Sequence, residues 1–167
     1  MTSYSLMPSP LGELVLTASD GALTGIRFTP PPQAEAGYPQ WQHNDAAPVL
    51  QQARRELNEY FDRRRRHFEV RLTATGTAFQ QSVWTALMTI EFGRWATYGE
   101  LAAAVGRPRA ARAVGAAVGA NPIAIIIPCH RIVGRGGSLT GYAGGLDRKT
   151  WLLSLEGFKP AARPPAR

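Results

Sequence analysis

The chain has 167 residues, 44% of them hydrophobic, which is enough apolar material to bury a core without disulfide bonds or a structural metal. It contains one cysteine, Cys129, and three scattered histidines, so we expect neither an internal disulfide nor a metal site. No apolar run approaches the roughly 18 residues of a membrane span, and the first residues lack the pattern of a signal peptide. These features predict a soluble cytoplasmic protein without a metal, cofactor or membrane partner.

The net charge of +7 is unevenly distributed along the chain. Residues 1 to 77 carry eight arginines and eight acidic residues, whereas residues 78 to 167 carry 11 arginines and lysines and four acidic residues. The whole positive excess therefore lies in the half that contains Cys129, which favours a polyanionic partner for that half. An arginine-rich genome is the alternative explanation, since arginines outnumber lysines 17 to 2.

The N-terminal half has the pattern of a small sheet covered by a helix. Residues 12–28 predict two strands joined by a tight Asp-Gly turn. After a proline-rich stretch, the apolar spacing over residues 48–61 predicts a helix, and the alternation over residues 67–72 predicts a further strand. We therefore expect an antiparallel sheet-plus-helix domain over residues 1–77.

The C-terminal half, residues 78–167, has a mostly helical pattern. A helix with a threonine cap begins it, and the predicted buried face consists of Phe79, Val83, Trp84, Leu87 and Met88. A short helix capped by Thr97 and ended by Gly106 is followed, after Pro108, by a second helix. This spacing is typical of a helix-turn-helix, although many helical hairpins share it.

The second helix of this pair consists almost entirely of alanine and glycine, with Arg112 as the one long side chain near its middle. A helix that reads bases in the major groove needs long polar side chains. Small residues instead allow close approach. The partner could be a narrow minor groove, with Arg112 inserted into the base stack, or a neighbouring helix, with Arg112 at the surface. The composition leaves both alternatives open.

Cys129 follows an apolar run, residues 123–127, and lies between Pro128 and His130. The run predicts a buried extended segment, and Pro128 predicts a bend that holds the thiol at its end. A neighbouring histidine that is oriented by a carboxylate would favour the nucleophilic thiolate. Glu156 is flanked by apolar residues and is the carboxylate expected to have a buried partner. A buried, inert cysteine is the alternative.

The segments GANPIAIIIPCHRIVG and GYAGGLDRKTWLLSLEG closely resemble the active-site half of the O6-alkylguanine-DNA alkyltransferases, whose signature is Pro-Cys-His-Arg followed by an aliphatic residue. The preceding TYGELAAAVGRPRAARAVGAAVGANP resembles the DNA-binding helix-turn-helix of that family. The resemblance covers about residues 79–157, and the N-terminal half resembles the family's small ribonuclease H-like domain in outline. It implies an α+β fold with a winged helix-turn-helix in the C-terminal domain.

The resemblance implies a DNA repair protein that flips O6-alkylguanine out of duplex DNA and transfers the alkyl group irreversibly and stoichiometrically to Cys129. His130 would act as the base through a water molecule, and Glu156 would orient its imidazole. Tyr98 would hydrogen-bond the guanine, and Asn121 would tie the helix-turn-helix to the active-site segment. Activity on O4-alkylthymine is left open.

The resemblance also implies DNA contacts and a pocket. Arg112 would fill the space left by the extruded nucleotide, within the minor groove. The other DNA-binding residues would be Thr97, Ala110, Ala111 and Gly115, and the phosphate contacts would come from Arg94, Arg107, Arg109 and Arg135. The alkyl pocket would be lined by Ile132, Leu139, Tyr142, Ala143 and Gly144. We expect a monomer and leave cooperative binding along DNA open.

Other classes of protein fit parts of the pattern. A non-catalytic alkylguanine-binding relative would lack Cys129, and a winged-helix regulator would need base-reading side chains that the second helix lacks. A cysteine hydrolase would instead turn over an ester through an acyl intermediate. The N-terminal half has no cysteine, so the metal-bound phosphotriester site of some fused relatives is not expected. This departure argues against a methylation-triggered transcription factor.

Overall fold

The computed structural model describes residues 1–28 and 40–158, and its packing separates into two compact units. The first unit comprises Met1–Thr75 and Pro122–Ile126, and the second comprises Gly76–Asn121 and Ile127–Arg167. The first contains a four-stranded sheet and a helix, whereas the second is mostly helical, which confirms the predicted α+β class. Within the described ranges, no helix is both long and apolar enough to cross a membrane.

Residues 122–126 belong to the second predicted domain but pack within the first unit. There, Ile123 forms an isolated bridge with Ile26, whose amide donates to the carbonyl of Pro122 at 3.0 Å. The two predicted domains, residues 1–77 and 78–167, stay a prediction, because compact packing does not test whether either part folds independently.

The sheet of the first unit has the strand order β3-β2-β1-β4. Its strands are β1 (Ser3–Met7), β2 (Leu14–Ser19), β3 (Ala22–Arg27) and β4 (Gln42–His43). The first three pair antiparallel, and β4 pairs parallel with β1. Asp20 and Gly21 have φ values of 50° and 73°, which are the positive angles of a two-residue hairpin turn. The predicted hairpin is therefore confirmed.

Helix α1 (Pro48–Phe61) covers this sheet, as predicted. Its proline is in the first turn, where a missing amide hydrogen costs little. The buried face includes Leu50, Leu57 and Tyr60, all fully buried. The predicted helix is therefore confirmed, and its apolar side chains supply much of the core of the unit.

Glu56, also on the buried face of α1, accounts for the one wrong strand prediction in this half. Its Oε2 accepts hydrogen bonds from the backbone amides of Glu69 and Val70 at 3.1 Å each. Because these amides bind a carboxylate, they do not pair with a neighbouring strand. Over residues 67–72 only Leu72 forms an isolated bridge.

The second unit contains α2 (Ala78–Leu87), β5 (Ala96–Thr97), α3 (Tyr98–Ala104), α4 (Ala111–Gly119), β6 (Ile132–Val133) and α5 (Leu146–Leu155). Thr77 and Thr97 cap α2 and α3, each in a capping box with the residue three positions later. Helix α3 ends before Gly106, whose φ of 75° suits glycine. The helix predictions are confirmed, and Val83, Trp84 and Leu87 are buried. Two residues of the predicted buried face are not: Phe79 is only partly buried, and Met88, just after the end of α2 at Leu87, is 47% exposed.

Gly76 lies against the indole ring of Trp84. A Cβ atom at Gly76 would come within 2.5 Å of Trp84 Cη2 and 2.7 Å of Cζ3. The ring has little freedom to move, because its Nε1 donates a hydrogen bond to the carbonyl of Ala117 at 2.8 Å.

We expect Gly76→Ala to destabilise the protein by about 1 to 3 kcal/mol, the usual cost of overpacking. The matched control is Gly119→Ala in α4, where no atom beyond the neighbouring residues and the backbone of the helix lies within 4 Å of the new methyl group. That change should leave stability unchanged or raise it by up to about 1 kcal/mol, since alanine favours the helix. Urea unfolding measures both, and equal midpoints for the two variants would contradict the packing described here.

Candidate active site

Tight turns precede the thiol of Cys129. Residues 123–127 are buried as predicted, but they are not extended, because Ile125 has a φ of 72° and the amide of Ile126 donates to the carbonyl of Ala124. Pro128 forms the predicted bend, across which the amide of Cys129 donates to the carbonyl of Ile127 at 2.8 Å. Cys129 is therefore the first residue of a 3-10 helix, Cys129–Arg131, and does not lie at the end of an extended strand.

The Cys129 side chain is buried, and the residue is only 6% exposed. Burial raises the pKa of the thiol above its ordinary value, while a hydrogen bond from Asn121, the charge of Lys149 and a hydrogen bond from Tyr142 oppose that increase. Asn121 also donates from Nδ2 to the carbonyl of Ile127 at 2.8 Å. The structure thus brings the predicted residues Asn121 and Tyr142 to the thiol.

His130 is completely buried, and its Nε2 lies 2.9 Å from Oε2 of Glu156. Burial lowers the pKa of the imidazole below its ordinary value, and the attraction of Glu156 does not fully offset it. The resting imidazole is therefore neutral. Because an ionised carboxylate only accepts hydrogen bonds, we assign the imidazole proton to Nε2. This leaves Nδ1 with a lone pair, and it has no hydrogen-bond partner within the described residues.

Glu156 follows the last residue of α5 and is 6% exposed. Burial alone would raise the pKa of its carboxyl group, but hydrogen bonds and charges from His130 and Arg131 outweigh burial and hold the pKa below its ordinary value. The Nε atom of Arg131 donates to Oε1 at 2.8 Å and to Oε2 at 3.0 Å. The carboxylate thus has the hydrogen-bonding partners that a charged group needs when it is buried among apolar residues.

Two charged residues of this site, Arg131 and Lys149, were not predicted. Lys149 is fully buried, donates from Nζ to the carbonyl of Thr140 at 2.8 Å, and has its pKa lowered by burial to about 8. The sequence signals are weak but present. Lys149 and Glu156 are seven residues apart, which places them on one face of α5, and Arg131 directly follows the Cys-His pair.

Helix α4 has one packed face and one exposed face. Val114, Ala117 and Val118 are buried, and the helix contacts α2 and α3. The exposed side consists of Ala111, Arg112, Ala113, Ala116, Gly119 and Ala120. The packed face fits the contact with neighbouring helices, whereas the approach of the exposed face to a minor groove stays a prediction. The exposed face combines low side-chain bulk with a single long cation.

The other residues that were predicted to contact DNA are exposed or partly buried. The exposed arginines are Arg94, Arg107, Arg109 and Arg135, and Thr97 and Ala110 are partly buried. Thr97 caps α3 by accepting a hydrogen bond from the amide of Glu100. Tyr98 begins α3, and its ring lies beside Gly115, where a Cβ atom would sit 3.8 Å from ring carbons. The structure therefore brings Tyr98 and Gly115 together.

The predicted pocket residues differ in their environments. Ile132 is fully buried in β6, where it pairs with Ala96 of β5. Leu139, Tyr142 and Gly144 are partly buried, and Ala143 is exposed, all in the glycine-rich segment before α5. Of this set, Tyr142 interacts with the thiol. Ile132 is a core residue, and its place in an alkyl pocket stays a prediction.

Family models match both parts of the chain. The model for the DNA binding domain of 6-O-methylguanine DNA methyltransferase matches residues 78–158, and the model for its ribonuclease-like domain matches residues 2–74. The methylated-DNA--protein-cysteine methyltransferase of Haemophilus influenzae is 46% identical over 154 residues, which is 92% of this chain and 85% of that protein. The protein of the same name from Methanosarcina acetivorans is 44% identical, over 92% of this chain and 97% of the relative.

Solved structures of Mycobacterium tuberculosis proteins are similar to this chain over most of its length. The crystal structure of Mycobacterium tuberculosis OGT in complex with DNA matches with a TM-score of 0.84 and 45% sequence identity, over 92% of each chain. The crystal structure of the Mycobacterium tuberculosis O6-methylguanine methyltransferase matches with a TM-score of 0.82 and 42% identity, over 98% of this chain and 97% of that one.

The ionised Glu156 makes a testable contribution to stability. Glu156→Gln leaves the Arg131 cation buried beside a neutral amide, which should cost about 3 to 5 kcal/mol at neutral pH. Because the pKa of Glu156 is lower in the folded chain than in the unfolded chain, its contribution is complete above the unfolded pKa of about 4.3. That contribution is lost as the pH falls through the folded pKa.

Urea unfolding at a series of pH values tests this expectation. The wild type should lose more stability than Glu156→Gln when the pH is lowered below about 4. Asp147→Asn removes an exposed carboxylate from the same helix and serves as the control, which should follow the wild type. A Glu156→Gln variant as stable as the wild type at neutral pH would contradict the assigned ion pair.

Proposed function

The chain belongs to the 6-O-methylguanine DNA methyltransferase family, and we propose that it repairs duplex DNA by transferring the alkyl group of O6-alkylguanine to its own Cys129. This is the reaction class of the methylated-DNA--protein-cysteine methyltransferases, to which its relatives at 44% and 46% identity belong. One observation carries the assignment of the acceptor. The only thiol of the chain is buried, and the imidazole of the next residue, His130, lies with its Nε2 at hydrogen-bond distance, 2.9 Å, from Glu156.

Alkyl transfer exchanges one bond for another. Sγ of Cys129 forms a bond to the alkyl carbon, the bond between that carbon and O6 breaks, and the electron pair stays on the guanine. The thiol proton passes to Nδ1 of His130 through a water molecule, because adjacent side chains rarely meet directly. Tyr98 donates a hydrogen bond to the guanine ring. The departing guanine takes up one proton and leaves as a neutral base, and the imidazolium returns the thiol proton to solvent, so that protons balance.

Activation of the thiol is coupled to this proton transfer. Burial makes a free thiolate unfavourable in the resting site, so the proton leaves only when His130 can receive it. The resulting imidazolium is stabilised by the Glu156 carboxylate at 2.9 Å. Lys149 adds a positive charge that favours the thiolate. The carbon–sulfur bond of the product thioether is not broken by water or by thiols, and the chain contains no second thiol that could accept another alkyl group, so each molecule acts once.

The substrate must leave the duplex before it can react. O6 of a paired guanine lies on the major-groove edge of the base pair, which a protein bound in the minor groove does not reach, and extrusion of the base brings it to the thiol. The small exposed side chains of α4 allow close approach to a minor groove, and Arg112 occupies the gap left by the base. Exposed arginines such as Arg94 and Arg109 bind phosphates without reading the sequence. We also propose that the protein acts as a monomer in the cytoplasm, where thiols stay reduced.

Intact mass spectrometry tests the acceptor. After incubation with excess duplex DNA containing O6-methylguanine, the wild type should gain the mass of one methyl group, and Cys129→Ser should gain none. Binding of the lesion without a mass change would indicate a non-catalytic sensor. Restoration of guanine without modification of the protein would contradict direct transfer to the thiol.

The role of Arg112 is tested by comparing two reactions of the same thiol. We expect Arg112→Ala to slow methyl transfer from duplex DNA by about tenfold or more, because extrusion of the base loses its support. Alkylation of Cys129 by iodoacetamide needs no extrusion and should keep its rate. Arg55→Ala, an exposed arginine of α1, is the control. Equal slowing of both reactions by Arg112→Ala would contradict the assignment.

A further inference from the structure

Arg131 is buried to an extent that is rare for arginine, and the reaction described above gives it no role. The residue is 6% exposed. Its Nη1 donates to the carbonyl of Ile90 at 2.6 Å, and its guanidinium carbon lies 5.9 Å from the ring centre of Phe92. The other side of the guanidinium faces Glu156, to which Nε donates at 2.8 Å and 3.0 Å and Nη2 also donates. These contacts together hold the guanidinium in one position.

The carboxylate that binds Arg131 is also the carboxylate that orients His130. Both oxygens of Glu156 lie within hydrogen-bond distance of His130 Nε2, at 3.2 Å and 2.9 Å, and both accept from Arg131. Arg131 and Glu156 together form a neutral ion pair in a buried site. A proton added to His130 would therefore leave a net positive charge with little solvent to screen it.

We propose that Arg131 is a positioning residue for alkyl transfer: by holding the Glu156 carboxylate in place and compensating its negative charge, it keeps His130 neutral, with Nδ1 available as the base. The inference rests on the proposed function, since it concerns activation of the thiol that accepts the alkyl group. We assign Arg131 no direct contact with the thiol or with the substrate. It acts entirely through Glu156 and through its own charge.

The charged groups around His130 support this division of roles. Glu156 favours the imidazolium, whereas Arg131, on the same 3-10 helix, and Lys149, on α5, both disfavour it. His130 and Arg131 are the groups that favour the ionised form of Glu156. Without Arg131, the buried carboxylate would have only His130 as a compensating partner. A protonated His130 would then be the resting state, and it could not accept the thiol proton.

The test is the pH dependence of two reactions of Cys129: single-turnover methyl transfer from DNA and alkylation by iodoacetamide. For Arg131→Met, removal of a buried positive charge should move the acidic limb of both profiles to higher pH by about 1 to 3 units. Arg55→Met, on the exposed side of α1, should leave both profiles unchanged. A purely structural role would lower the fraction of active protein without moving either limb, and that result would overturn the proposal.

Two further measurements keep the test decisive. Nitrogen-15 NMR of the histidines should show His130 protonated only on Nε2 in the wild type and on both nitrogens in Arg131→Met at neutral pH. If Arg131→Met does not fold, Arg131→Lys keeps the charge but loses the forked contact with Glu156. In Arg131→Lys, the acidic limb of the pH profile should lie at the same pH as in the wild type, and the plateau rate of methyl transfer should be lower. A wild-type plateau in Arg131→Lys would overturn the positioning role.

The same experiment separates this proposal from the proposed function. A shifted limb with iodoacetamide and a second proton on His130 in Arg131→Met would support the role of Arg131 even if the wild type takes no methyl group from DNA. That absence of transfer would overturn the proposed function alone. Methyl transfer by the wild type with unshifted limbs in Arg131→Met would overturn the role of Arg131 alone.

Discussion

The buried carboxylate of Glu156 is the group on which the rest of the reactive site depends. It lies at the end of α5 and receives hydrogen bonds from His130 and Arg131, two consecutive residues of the 3-10 helix that begins with the thiol. In a site with so little solvent, an ionised group must be compensated by its neighbours. Glu156 provides that compensation for Arg131 in the resting protein and for His130 when it accepts a proton.

A different constraint applies to helix α4, which we propose contacts DNA. Helix α4 uses valines and one alanine to pack within its unit, and it leaves alanines, a glycine and Arg112 on its exposed face. A face of this kind has too few polar side chains to read bases. It can, however, approach a groove closely at any sequence, which is what repair of a lesion in varied contexts requires. The absence of bulk is therefore as much a part of the proposed function as the one long side chain.

Features determined by neighbouring residues in the sequence could be predicted, and features determined by distant partners could not. The Asp20-Gly21 turn, the threonine caps of α2 and α3, and the bend at Pro128 depend on local conformational preferences. The predicted strand at residues 67–72 is wrong because Glu56 binds its amides, and the predicted extended run before the thiol is wrong because Ile125 adopts a positive φ. Arg131 and Lys149 were missed because their burial depends on carboxylate and carbonyl partners elsewhere in the chain.

We propose that the thiol of Cys129 is consumed as it repairs one lesion. The most direct test of this proposal is the number of guanines restored per protein molecule when duplex DNA carrying O6-methylguanine is in large excess. We expect one guanine for each active molecule, with no further repair however long the incubation lasts. Continued restoration of guanine by the same molecules would contradict transfer to Cys129, because the thioether is stable and the chain contains no other thiol to accept an alkyl group.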